Sequence, residues 1–229
     1  ADYFFEGLDA GVGINGNGHQ SMFERNSDQI IAFVDNWLKK NTLAGAPNPS
    51  KAMPPAAIPT FSTENRARKG FYYSGGQYGE ATSVFSADLA GNKVMRGAMY
   101  MDVWVPKQIR QPYPVVLFHG QGQTGVDWQQ TPDGRPGWAY YLISQGYVVY
   151  MLDYPARGRS AYVPGYDGNI GIRTADQLEQ IWTNTAERGD FPLKNNHTQW
   201  PGAGKVGDPI FDTFTKSQLN YADTSTDLA

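Results

Sequence analysis

The chain has 229 residues, enough for one large domain or two small ones with a sizeable core. Hydrophobic residues make up 40%, charged residues 18%, and the net charge is −3, a balance that suits a globular protein and gives no electrostatic reason to expect nucleic acid or a membrane as partner. Cysteine is absent, which excludes disulfides, thiol nucleophiles and zinc–thiolate sites, and no apolar run approaches the roughly 20 residues of a membrane span.

In chain order, a Gly- and Asn-rich loop, "NGNGH", delivers His19, one of only three histidines, and an amphipathic helix follows at once. Asn26 and Gln29 have the spacing of an N-cap and its N3 partner. Ile30, Ile31, Phe33, Val34, Trp37 and Leu38 share one helical stripe, with Lys39 and Lys40 at the C-terminal end of the dipole. Residues 42–60 carry five prolines and no periodicity, so they read as a linker. The domain reading is therefore 1–41, a linker or former termini at 42–60, and 61–229, the pieces together forming one domain.

Beyond the linker the pattern turns to strands. "GFYYSGGQYGEA" and "RGAMYMDVWVP" alternate and read as an antiparallel pair, with Met99, Met101, Val103 and Val105 on one face of the second. "YPVVLFHG" is a short continuous apolar run, predicted to be a strand buried on both faces. "PGWAYYLISQG" places Pro136 near a helix start and Gly146 at its stop. "YVVYMLDYP" is a second buried strand, so strand, helix, strand makes a parallel crossover. Thr174 and Gln177 open a helix running to about Arg188, and Asp208-Pro209 opens another. Asp102 and Asp127 read as exposed-strand and loop positions without an identifiable partner.

Chemistry concentrates in "VVLFHGQGQTG" (115–125), where a strand ends in His119-Gly120 and glycines recur at 122 and 125. Such glycines let main-chain N–H groups turn toward a ligand, and two of them can hold the oxyanion of an acyl-transfer intermediate. The next strand ends in "LDYPARGRS", an Asp followed by a Gly-Arg-Ser turn. On these residues the sequence resembles the α/β-hydrolase superfamily, and a small bacterial and fungal esterase group within it. The segment "HTQWPGAGKVGDPIFDTF" is similar to the one that precedes the nucleophile strand in that group. The resemblance covers most of 70–221, in the family's order. It implies an α/β fold with a mostly parallel sheet, an antiparallel N-terminal hairpin and helices on both faces. It also implies oxyanion-hole amides at Gln121 and Gly122. Beside His119, the residues Trp128, Trp138 and Trp200 read either as apolar walls of a substrate pocket or as core packing.

"GNGHQSMFERNSDQIIAFVDNWL" resembles the C-terminal end of the same fold, where a loop carries the catalytic histidine. The resemblance thus makes His19 the general base that activates a serine. Two departures matter. The family order is Ser, acid, His, whereas here the histidine comes first, as in a circular permutation, a processed chain or two joined fragments. In addition, no Gly-x-Ser-x-Gly occurs: "YSGGQ" and "RGRSA" each lack one glycine. The expectation is therefore a serine-type carboxylic ester hydrolase, incomplete or permuted, whose nucleophile and acid lie outside these residues on a second chain or segment. The implied partner is a small-molecule ester; no cofactor, metal, nucleic acid or membrane is expected, and the setting is secreted or periplasmic. Two rivals stand beside it: a non-catalytic binding subunit of the same fold, and another activity on that fold such as a lyase or dehalogenase.

Overall fold

The computed structural model describes residues 60–81, 91–192, 194–196 and 200–222, together with Phe33, which is helical and half-buried. His19, the rest of the predicted helix over 26–39, the linker before residue 60, and His197 lie outside the described residues. The chain divides into two units, Ala1–Pro59 and Thr60–Ala229. The second unit carries the elements described below.

Its principal sheet has four strands: β1 (Arg66–Glu80), β2 (Lys93–Pro106), β3 (Val115–Leu117) and β4 (Val149–Asp153), in the spatial order β1-β2-β4-β3. β1 and β2 form the expected antiparallel pair over almost their whole lengths, from Arg66 opposite Pro106 to Glu80 opposite Lys93. β4 then pairs antiparallel with β2, Tyr100 facing Asp153, and parallel with β3, Leu117 facing Met151. Among the described residues the sheet is therefore mostly antiparallel, which corrects the mostly parallel sheet expected from the sequence. Parallel pairing is confined to the β3–β4 crossover, because the long hairpin supplies both of the other pairings. A short antiparallel pair, β5 (Ile170–Gly171) with β6 (Tyr221–Ala222), forms a second sheet.

Between β3 and β4 the chain makes a single 3₁₀ turn at Gly125–Trp128 and then helix α1 (Trp138–Ser144). α1 buries Ala139 and Ile143 against Trp104, Leu117, Val149 and Met151, with Trp128 and Tyr140 packed around them. Burying a side chain of that size contributes roughly 1.5–3 kcal/mol. The packing explains why β2 buries mainly the face opposite to the predicted one. Tyr100, Asp102 and Trp104 are buried, whereas on the predicted face Met101 is buried but Met99, Val103 and Val105 are only half so. The parity is set by Trp104, which meets α1 edge-on through Tyr140.

The predicted 174–188 helix starts as expected. Thr174 accepts from the Gln177 N–H while the Gln177 side chain accepts from the Thr174 N–H. It does not continue as one α-helix. α2 (Ala175–Leu178) passes into a π-helical stretch over Glu179–Thr183, and α3 (Thr185–Arg188) follows. The widened turn lets the Thr183 hydroxyl donate to the Gly204 carbonyl, 2.6 Å away, rather than only within its own helix. α4 (Pro209–Ser217) begins at Asp208, whose carboxylate accepts from the Ile210 N–H, with Pro209 in the first turn. Phe211 and Phe214 of α4 pack with Leu178, Trp182 and Trp200 into a second apolar cluster.

Candidate active site

Because β3 and β4 are parallel, their C-terminal ends lie side by side, and the 119–125 loop and the 154–160 turn leave the same edge of the sheet. Ligands in open α/β sheets bind at that edge. The loop is held by its neighbours from four directions. Leu219, just past α4, donates its N–H to the Gly122 carbonyl at 2.7 Å. Arg173 donates a guanidinium N–H to the Gln121 side-chain oxygen and lies over the Trp182 ring. The Gly125 N–H donates to Asp153 at 2.8 Å. His119 accepts at Nε2 from the Tyr154 N–H at 3.0 Å, and its Nδ1 donates to the Gly120 carbonyl at 2.8 Å.

Within that frame the main-chain N–H groups of Gln121 and Gly122 have no hydrogen-bond acceptor among the described residues. Gly122 has φ of +78°, and a Cβ there would stand 3.4 Å from the Gln218 side-chain oxygen. A larger residue would be strained at that φ, so glycine is what allows this backbone conformation. Two adjacent, unpaired donors in a rigid loop can stabilise an oxyanion, a contribution of about 3–4 kcal/mol for one donor.

Asp153 is the second anchor. It is fully buried, and its two oxygens accept from the Gly125 N–H, the Arg159 N–H at 2.9 Å and the Arg159 guanidinium at 2.8 and 3.2 Å. Burial alone would raise its pKa, but the bonds from Arg159 and Gly125 outweigh it and hold the carboxyl below the usual range. Gly158 makes the close approach possible: a Cβ there would sit 2.6 Å from the Asp153 carboxylate and 2.7 Å from the Thr124 methyl. Arg159 also lies 3.9 Å over the Tyr100 ring and 3.5 Å from Asp102. Asp102 is therefore not an exposed strand residue: it is fully buried, with Lys69 as a second cation at 3.5 Å. Sequence reading missed this pairing because Asp102, Lys69 and Arg159 lie on three separate segments.

The other residues expected at the site fall in different places. His119 is the only histidine among the described residues. Burial pushes its pKa down, and both ring nitrogens are engaged by main-chain groups, so it pins β3 to β4 and is not free to move a proton. Trp128 packs on the α1 core and against Trp138 at 5.3 Å. Trp200 lines a cavity of about 380 Å³ together with Asp127 and Phe214. Ser160 is buried, donating to the Asp153 carbonyl and accepting from the Tyr100 N–H, a structural role. Ser74 lies inside β1, far from any strand-to-helix elbow in sequence.

No protein-family model matches the chain. Over 140 residues it is 44% identical to a probable secreted lipase of Fungal sp. (strain ATCC 74256), an alignment covering 61% of this chain. It spans 37% of that relative's length. Among solved structures it is similar to a novel bacterial esterase, with a TM-score of 0.57 at 23% identity, covering 73% of this chain and 54% of that one. The chain shares that esterase's fold across the matched part, a mixed α/β architecture.

Proposed function

We propose that these residues form part of a secreted carboxylic ester hydrolase of the serine type, built on an α/β-hydrolase fold. The observation that carries the reading is the pair of unpaired N–H groups at Gln121 and Gly122, in a loop clamped at the C-terminal edge of a β1-β2-β4-β3 sheet. Likeness to a secreted lipase and to a bacterial esterase supports ester hydrolysis and a secreted setting. In the mechanism, a serine from a segment beyond these 229 residues attacks the ester carbonyl. His19 takes the serine proton and returns it to the leaving alcohol, and a carboxylate, also from that segment, orients the imidazole. The Gln121 and Gly122 amides hold the oxyanion. The order in which residues 1–41 precede the strands belongs to the same reading, as a permuted or rejoined arrangement of the fold.

A fluorophosphonate probe on the native protein tests this directly. Labelling of one serine, together with a loss of several orders of magnitude in ester hydrolysis on His19→Ala, is the expected result. Activity within about threefold of wild type after that substitution would reject His19 as the base. A native protein that binds esters but takes no label would be a binding subunit. The intact mass of the native protein reports whether a further segment is attached.

A further inference from the structure

The cavity of about 380 Å³ beside the oxyanion loop is walled by Gln123, Val126, Asp127, Trp200, Phe214 and Ser217, among others. Two connections tie it to the site: Gln123 belongs to the loop itself, and α4, which supplies Phe214 and Ser217, leads to the Leu219 N–H bonded to Gly122. Its size is that of a small-molecule site. Most of its wall is apolar or neutral, and Asp127 is the single ionisable side chain among the described residues lining it.

That carboxylate is unusual. No ion pair or side-chain hydrogen bond reaches it among the described residues; its Oδ2 is buried without a partner, which leaves Oδ1 as the oxygen that faces the cavity. Three cations of this unit are engaged with other carboxylates: Arg159 with Asp102 and Asp153, Lys69 with Asp102, and Arg135 with Asp133. A carboxylate in such a wall is costly unless something compensates it. Beside it, Trp200 and Phe214 stand edge to face at 5.4 Å, presenting aromatic surface to the same space. A neutral hydroxyl would answer the carboxylate alone. An organic cation answers both, pairing with the carboxylate while lying against the rings.

We propose that this cavity is a substrate subsite for an apolar group carrying an ammonium cation, with Asp127 as its counter-charge and Trp200 and Phe214 as its aromatic walls. The inference rests on the esterase reading for calling the occupant part of an ester, but the binding site itself does not need turnover. On it, esters with a cationic acyl or alcohol part are preferred over neutral esters of equal length, and anionic ones are disfavoured.

Calorimetric titration of the full chain with hexyltrimethylammonium, hexanol and hexanoate tests the site without any nucleophile. The cation is expected to bind about tenfold or more tighter than hexanol, a difference of about 1.4 kcal/mol, and hexanoate weakest. Asp127→Asn should bring the cation and hexanol within about threefold while hexanol affinity is kept, and Gln130→Glu, at another lining position, should widen the cation's preference. Equal binding of all three probes, absence of cation binding at millimolar concentration, or a preference unchanged in either variant would overturn the proposal. Cation binding without serine labelling would keep the subsite and remove the catalytic reading; ester hydrolysis without cation preference would do the reverse.

Discussion

Asp127 and Asp153 are both acidic and lie at the same sheet edge, yet they respond oppositely to pH. Asp153 has donors enough to remain charged, so its stabilisation is present above the unfolded carboxyl pKa and is lost as pH falls through its lowered native value. Asp127 lacks donors: burial, then the charge of Asp153, pushes its pKa up to about 6. The folded state therefore holds a proton that the unfolded chain releases between about pH 4 and 6, and stability declines as pH rises through that window. Asp127→Asn should be near neutral at pH 4 and stabilising at pH 7. A shift of that size corresponds to at most about 3 kcal/mol, reduced because the side chain is only partly buried. Thermal melting of both proteins across that range decides it: a gain that does not grow with pH would show that the carboxylate has a partner. Composition could not reveal this difference. Both residues read as Asp near a loop, and only the path of Arg159 back to Asp153 separates them.

At the scale of elements, local signals read correctly wherever a short-range bond defines them. The Thr174–Gln177 capping box, the Asp208–Pro209 start and the β1–β2 hairpin are each fixed within a few residues or by one alternating pair. Elements that depend on distant partners read less well. The π-helical stretch places Thr183 to bond to Gly204, and β2 turns its Trp104 face inward where α1 packs. Neither contact leaves a periodic trace. The 119–125 loop lies between these cases: its glycines are legible in the sequence, but its clamps from Leu219, Arg173 and Asp153 are not. Gly122→Val is expected to act on this element. A β-branched side chain at φ of +78° must twist the backbone and move the Gly122 N–H, so on the proposed function kcat should fall by about 10²-fold while the melting temperature drops only slightly. A collapse in melting temperature with unchanged kcat in the folded fraction would make the loop a structural turn.

For the whole molecule, the decisive feature is the outer side of β3. Among the described residues β3 pairs with β4 alone, so its other edge has no strand beside it. Its apolar run, read from sequence as buried on both faces, is not: Val116 is 42% exposed and Phe118 52%. A short, apolar strand at the margin of a sheet is an association hazard wherever its outer N–H and C=O groups are unpaired, because they template pairing with any available strand. As an extension of the proposed function, the strand carrying the nucleophile would pair with that edge of β3 and deliver the serine beside Gln121 and Gly122. On this reading a polypeptide of residues 1–229 alone should aggregate or melt without a sharp transition, and should hydrolyse no ester. Adding a segment that contains a Gly-x-Ser-x-Gly strand turn and an acidic loop should restore solubility and activity together, since one strand both closes the edge and brings the nucleophile. Size-exclusion chromatography, thermal melting and ester hydrolysis on the two preparations test the coupling. A monodisperse, cooperatively melting, active 229-residue monomer would overturn it and place the nucleophile among the serines already present.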